Sequence, residues 1–388
     1  MKNNIPQGYK ATALGIIPQE WEVKRLGEIC TYFKSGEGIT SKDISENGQY
    51  PVYGGNGLRG YTDKKYTHDG AYILIGRQGA LCGNINYVTG KCYISEHAIA
   101  VQTKGDLSWL RYKLDFWNLN RYSESSAQPG LSVEKLVRYK LTVPPLAEQR
   151  KIAEVLGVWD EAIEKQARLI EKLDLRKRAL MQRLLSAKLR LPGFSEPWQK
   201  VKFCELFTKS IKTADPLKKY EVLSVTKEGI VAQKSYFNKD IASEDTSKYI
   251  VVERGDLAMS GLNFWMGSCH ILTNFNEGII SPAYKVFKVN EHNNIDFIRD
   301  FVRSSMFLQA LQGCSVIGAS IVRRNLDKEM LYEWIFKIPS LKEQTAIAEV
   351  LTAADREIEL AKEKLERLRR QKRGLMQQLL TGKKRVNL

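Results

Sequence analysis

One stretch of the chain is written twice, and that repeat limits the fold more than any other feature. From Pro144 the sequence reads PPLAEQRKIAEVLGVWDEAIEKQARLIEKLDLRKRALMQRLLSAKLR, and from Pro339 it reads PSLKEQTAIAEVLTAADREIELAKEKLERLRRQKRGLMQQLLTGKKR. The copies align without a gap at an offset of 195 (339 − 144), and about half of the positions are identical. In the first copy Ile152, Leu156, Trp159, Ile163, Gln166, Ile170, Leu173, Lys177, Leu180 and Leu184 alternate spacings of four and three. In the second, Ile347, Leu351, Ala354, Ile358, Ala361, Leu365, Leu368, Lys372, Leu375 and Leu379 do the same. Such a pattern, held over about four heptads, predicts a long helix with a coiled-coil seam. No proline interrupts either run, and Gly157 and Gly374 are single, modestly costly exceptions. Acidic residues lead each helix and basic residues crowd its second half, which suits the helix dipole. Lys177 and Lys372 fall on the seam at matching places, where a polar residue fixes register at some cost in stability.

A weaker repeat precedes each large unit. Trp21, Arg25, Leu26, Glu28 and Ile29 match Trp198, Lys202, Phe203, Glu205 and Leu206 in spacing. The order is globule, long helix, globule, long helix, with expected bounds 1–143, 144–190, 191–338 and 339–388. The globules show little further likeness, so one frame carries two different heads. A helix of about 37 residues is ~55 Å long. The first helix leaves globule one and arrives at globule two, and the second starts there. Because domain ends usually lie close together, an antiparallel pair needs no long return inside globule two. The expected fold is therefore α+β: two globular domains joined by two long helices in an antiparallel coiled coil with pseudo-two-fold symmetry. Short, turn-bounded segments such as Tyr220–Val225, Tyr249–Val252 and Tyr284–Val289 predict mostly antiparallel sheets.

Duplex DNA has local two-fold axes, and paired readers about one helical turn apart are a recurring solution. Unlike heads would imply an asymmetric site, with the coil as a ruler. On shape alone, an interaction scaffold that does not read DNA is an equal alternative, since either use only buries a seam. The net charge of +16 and pI near 9.4 favour a polyanionic partner, nucleic acid or membrane surface. No apolar run approaches the roughly 18 residues that span a bilayer, and the start lacks an apolar signal core. A cytoplasmic protein without a membrane partner is expected.

Catalytic signatures are missing from the sequence. It has no G-x-x-x-x-G-K-[ST] phosphate loop, no H-E-x-x-H and no H-x-E with a paired C-x-x-C. The nearest string to the [N/D]-P-P-[Y/F] of an amino-methyltransferase is Ser281-Pro282-Ala283-Tyr284, which lacks the polar first residue and second proline. Gly54-Gly55-Asn56-Gly57 suits a turn better than a phosphate cradle. Cys30, Cys82, Cys92, Cys204, Cys269 and Cys314 form no C-x-x-C pair, which favours buried reduced thiols over zinc. No catalytic residue, metal or cofactor is expected.

Phosphate contacts need Lys or Arg, and base readout needs Arg, Lys, Asn or Gln at groove edges. The apolar run Tyr72 to Ile75 predicts a buried strand that ends at Gly76-Arg77-Gln78-Gly79. Arg77 and Gln78 then sit on a loop suited to guanine and adenine; an arginine paired inside its own domain is the competing reading. Arg59, Tyr61, Lys64, Lys65 and Tyr66 mix basic and aromatic residues, as a phosphate-facing surface or a plain solvated face does. Ser125, Ser126 and Gln128 form a polar loop before Pro129. In the second globule the candidates are Asn263 after the apparent strand Asp256 to Met259, Lys234 and Tyr236 between strands, and the pair Arg323–Arg324. That pair could clamp phosphates or cover the base of the coil.

The doubled P-P-L-x-E-Q-x-x-I-A-E-V-L pattern, Pro144 to Leu156 and Pro339 to Leu351, resembles the conserved helical regions of type I restriction–modification specificity subunits. The segments Ile17 to Ile29, Tyr72 to Ile85, Ala127 to Leu131 and Gly255 to Ser260 resemble pieces of their target-recognition domains. The resemblance implies a subunit that reads a bipartite double-stranded DNA site with an unspecified spacer and directs adenine methylation and cleavage. It joins two methyltransferase subunits, to which restriction–translocase subunits can be added, and these partners carry S-adenosylmethionine, ATP and magnesium. The second globule lacks a G-R-Q-G-A-L counterpart, which leaves its contact residues open.

Overall fold

The computed structural model describes residues 5–79, 81–123, 130–215, 218–237, 246–317 and 324–387. The chain divides into two units, one of Met1–Ala167 with Glu363–Leu388 and one of Arg168–Lys362. Each contains one globule and a portion of both long helices, which run Leu146–Leu184 and Leu341–Leu379. Their equal lengths, 39 residues each, follow from the repeat.

In the first unit the early turns of the first long helix pack on the last turns of the second. Ile152 and Leu156 share a core with Met376, Leu379 and Leu380. In the second unit the late turns of the first helix meet the early turns of the second, with Leu173 against Ile358 and Ala361. Farther along, Leu184 and Leu185 join Ile347 and Leu351 in the second globule's core. Within each unit the helices are therefore antiparallel, as the chain order requires. The seam lysines find carboxylates of the other copy. Lys372 pairs with Asp160 at 2.5 Å, and Lys177 pairs with Asp355 at 2.5 Å. Both pairs join repeat-equivalent positions, since 160 + 195 = 355 and 177 + 195 = 372.

The E-Q dipeptide of each repeat ties its helix to a globule. Glu148 accepts the indole N–H of Trp21 at 2.9 Å and both Nε and Nη2 of Arg385, at 2.6 and 2.9 Å. Glu343 accepts Trp198 at 3.1 Å and the same two atoms of Arg190, also at 2.6 and 2.9 Å. These buried carboxylates are neutralised by a bidentate guanidinium, the geometry that makes such burial tolerable. Gln149 Oε1 accepts the backbone N–H of Asp106 while its amide donates to Pro144 O. Gln344 does the same with Asn294 and Pro339. Asp106 and Asn294 are in turn the N-caps of the Leu107–Trp117 and Ile295–Phe301 helices.

Each globule is built on a four-stranded antiparallel sheet of the same strand order. In the first, Cys30–Ser35 lies beside Ala98–Thr103, then Tyr72–Gly76, then Ile85–Val88. In the second, Phe207–Lys209 lies beside Lys285–Val289, then Leu257–Met259, then Cys269–Ile271. Trp109 and Phe297, each one turn into its capped helix, plug the corresponding cores. The expected Tyr72–Ile75 strand is present and fully buried, and runs on to Gly76. Others begin later than their apolar runs: Leu223–Val225 rather than Tyr220–Val225, Ile250–Glu253 rather than Tyr249–Val252, and Lys285–Val289 rather than Tyr284–Val289. The reason at the first is visible. Glu221 and Val222 spend backbone groups on Ile279 and Gln233 before the hairpin with Ile230–Ala232 begins.

Candidate nucleic-acid interface

In the first globule the strand Tyr72–Gly76 delivers Arg77 and Gln78 at its end. Three backbone segments converge there. Arg77 N–H donates to His97 O at 2.9 Å, and Gln78 bridges Gly130. Gly54–Gly57 is the turn of the hairpin formed by Tyr50–Gly54 and Gly57–Thr62. It packs so closely that a β-carbon on Gly55 would lie 2.9 Å from His97 O and 3.2 Å from Gly76 Cα. The backbone of the loop is thus braced while its side chains are left to the surface. Gln78 is exposed, and its Oε1 lies 3.3 Å from His97 Nδ1. The other imidazole nitrogen lies 3.2 Å from Glu96. Arg77 is half-buried and makes one long bond, 3.4 Å, to Glu96 O. His97 was not singled out by the sequence; only its sheet position puts it there.

The basic–aromatic stretch occupies the neighbouring hairpin. Arg59, Lys64 and Lys65 are exposed. Lys64 pairs with Asp43 at 2.8 Å, and this bond holds the Asp43 carboxyl below its usual value. Tyr66 meets Tyr50 edge-on and lies under Lys91. Ser125, Ser126 and Gln128 lie outside the described residues.

The second globule has a counterpart to the Arg77–Gln78 loop that sequence comparison did not find. The strand Leu257–Met259 occupies the same place in its sheet as Tyr72–Gly76. It ends at Ser260-Gly261-Leu262-Asn263. A β-carbon on Gly261 would lie 2.0 Å from Ala283 O, so this loop is pressed against the segment entering the next strand, as Arg77 is against His97. Ser260 Oγ accepts the backbone N–H of Asn263 at 3.1 Å, and the Asn263 side chain is left exposed. Lys285 pairs in register with Met259. Burial lowers its pKa, and nearby Lys328 and Lys209 lower it further. These three lysines come from distant positions, and no spacing rule unites them.

Lys234 and Tyr236 lie between strands, on the short helix Gln233–Phe237. Both are exposed on it. Arg324 stacks over Trp265 at 4.2 Å and donates to Ser315 Oγ at 3.0 Å, which commits its guanidinium within its own globule. Arg323 lies outside the described residues. All six cysteines are free; four are buried as expected, while Cys30 is half-buried and Cys204 is exposed. Burial pushes the Cys30 thiol up to about 12 and that of Cys92 to about 11. Among the described residues no cluster of His, Cys, Asp and Glu is arranged to hold a metal ion. No helix among them is long and apolar enough to cross a membrane.

Two braced loop sets on one duplicated frame define a protein of paired, similarly built modules. The profile of the type I restriction modification DNA specificity domain matches residues 18–174 and again 195–370. The chain therefore belongs to that family, as a specificity subunit concerned with DNA sequence recognition. It is similar to the EcoprrI specificity subunit of Escherichia coli, at 42% identity over 160 residues, a match that takes in only 39% of either chain. It is similar over 95% of its length, at 25% identity, to the MjaVIII specificity subunit of Methanocaldococcus jannaschii, covering 94% of that protein. The fold is that of a type I restriction–modification S subunit from M. genitalium, with a TM-score of 0.56, 16% identity, and coverage of 98% of this chain and 97% of the other. A structure concerned with assembly and conformational transition of the type I system has a TM-score of 0.58 at 16% identity, over 94% of this chain and 99% of that one.

Proposed function

We propose that the chain reads an asymmetric, bipartite site in double-stranded DNA, one half-site through each globule. It directs adenine methylation, and cleavage where restriction–translocase subunits join, by partner methyltransferase subunits that carry the chemistry. One observation carries this reading: equivalent strand ends in the two sheets present unlike side chains, Arg77 and Gln78 in one and Asn263 in the other. Arg pairs bidentately with guanine, and Asn or Gln with adenine, in the major groove. A shared frame with different polar tips suits two different half-sites. Residues 1–143 and 191–338 act as the recognition domains on this reading. Arg59, Lys64 and Lys65 in the first, and Lys234 with the Lys209–Lys285–Lys328 cluster in the second, supply phosphate contacts that orient the duplex. Arg324, spent on Trp265, supports its loop rather than a phosphate.

The test is an exchange of globules. Residues 191–338 are replaced by the corresponding segment of a relative with a known motif, and methylated sequences are mapped in cells that supply the methyltransferase partner. One half of the motif should change and the other half persist. A motif unaltered by the exchange, or altered in both halves, would refute the assignment.

A further inference from the structure

The first unit holds a groove of about 730 Å³ at the far end of the second long helix, away from the Arg77–Gln78 loop in sequence and in lining. Its walls are the hairpin of Tyr9–Thr12 and Gly15–Pro18, the end of the Leu107–Trp117 helix, and the Lys140–Val143 strand. Leu14, Ile16 and Phe116 stand exposed at its rim, at 46%, 42% and 37%. Trp117, Tyr122 and Tyr139 form a ring cluster along it, with centroids 4.5 to 6.1 Å apart. Lone exposed apolar residues need no explanation, but a contiguous set bordering a groove marks an interaction site. The hairpin adds to this. Among the described residues it pairs with no third strand, and a two-stranded ribbon is marginal in water alone. It turns Ile17 into the core and leaves Ile16 outside.

The charge of the groove is one-sided. Among the described residues Lys113, Arg121, Lys140 and Lys383 line it, and no carboxylate does. Lys113 at the floor is spent, donating to Thr142 Oγ1 at 2.9 Å and to Leu380 O at 2.6 Å. Arg121 lies on Tyr122 and donates to its hydroxyl. Lys140 and Lys383 are exposed, and neither has an ion-pair partner among the described residues. Exposed aliphatic and aromatic side chains between unpaired lysines complement an apolar peptide segment flanked by Asp or Glu. A phosphate backbone would use the lysines but leave Leu14, Ile16 and Phe116 in water, which disfavours nucleic acid as the occupant.

We infer that this groove is a docking site for an acidic, apolar segment of the methyltransferase partner; the source of the segment rests on the function proposed above. The experiment uses the full chain and the isolated methyltransferase subunit, with affinity measured by sedimentation or surface capture at low and high salt. Lys140→Glu with Lys383→Glu, both at exposed sites, should weaken association at least tenfold at low salt and by less at high salt. Ile16→Asp should weaken it similarly with little salt dependence; if that variant does not fold, Leu14→Ser, at an exposed turn, takes its place. Duplex DNA binding of the variants is measured in parallel. Partner affinity unchanged in the charge-reversed variant overturns the proposal. So does a loss confined to DNA binding, which would make the groove a phosphate surface. A chain that binds its partner through the groove but leaves methylated motifs unchanged after globule exchange would sink the recognition reading while sparing this one.

Discussion

Lys372 reaches across the seam to Asp160, and the ammonium lies 5.0 Å above the ring of Tyr112, whose hydroxyl donates to the same carboxylate. One half-buried cation is thus held by a charge, a π-face and a shared acceptor. In the second unit Lys177 has Asp355, which Arg299 also approaches at 3.9 Å. The place of Tyr112 is taken there by Asp300, itself held by Arg299. Arg111, placed in its helix as Arg299 is, meets Asp160 at 3.2 Å, so the two sets of neighbours share an arginine and differ at Tyr112 and Asp300.

Removing either carboxylate leaves a seam lysine without its partner. Asp160→Ala and Asp355→Ala should each destabilise the chain by about 1–2 kcal/mol, less than a fully buried pair because the carboxylates are partly exposed. Lys372→Met combined with Asp160→Leu and with Tyr112→Phe, which removes the hydroxyl that also donates to Asp160, should come closer to neutral than Asp160→Ala, since apolar replacement of interacting partners together restores packing. Urea unfolding monitored by circular dichroism gives the comparison. Equal losses in the single and combined variants would show that the charge is not what the seam needs.

The Trp–Glu–Arg clusters should be more costly to break. Glu343→Ala strands the Arg190 guanidinium and the Trp198 indole, and should cost about 3–5 kcal/mol. Trp198→Phe removes one neutral donor to a charged acceptor and should cost about 1.5–3 kcal/mol. Glu148→Ala and Trp21→Phe should follow the same order in the first unit. Thermal melts would contradict this if the tryptophan variants proved the worse of the two.

Lys113 gives a pH signature. Burial lowers its pKa from 10.5 to about 8, so between those values the unfolded chain keeps the proton and the folded chain gives it up. Stability therefore rises with pH from about 8 to about 10.5, by roughly 3 kcal/mol if the whole shift is realised, and this increment is absent below 8. Lys113→Met should remove the rise, while losing at all pH values the hydrogen bond that caps Leu380 O. The decisive quantity is the difference between parent and variant unfolding free energies across pH 7 to 10; a flat difference would contradict the assignment.

Recognition should divide between the globules. Arg77→Ala or Gln78→Ala should relax the motif at one half-site by about 1–3 kcal/mol per base pair, and Asn263→Ala at the other. Lys65→Ala should weaken binding to all sequences alike and lower the salt slope by about one. Binding is measured with the partner-assembled subunit on duplexes carrying single base changes. Relaxation at both half-sites from one substitution would argue against separate readers.

The helices were legible because a seam is a one-dimensional signal: Ile152, Leu156, Ile347 and Leu351 announce their burial by spacing alone. The duplicated E-Q dipeptides and flanking tryptophans were visible too, but not that Trp21, Glu148 and Arg385 meet, because chain proximity says nothing about contacts across 365 positions between Glu20 and Arg385. The candidate loops divided. Gly76 to Gly79 could be seen as a turn after an apolar run. The equivalent Ser260–Asn263 loop has no sequence likeness to it and emerges only from strand order. His97 and Lys285 are brought to these loops by sheet register, which their local sequences do not encode.

The discontinuous first unit has a consequence for the order of events during synthesis. Its core needs Met376, Leu379 and Leu380, and Glu148 needs Arg385, whereas the second unit is a single uninterrupted segment that ends at Lys362. The ribosome thus delivers everything the later globule requires before the earlier one can be finished. The earlier head must wait, with part of its apolar interior uncovered, until the stretch from Met376 to Arg385 has been made.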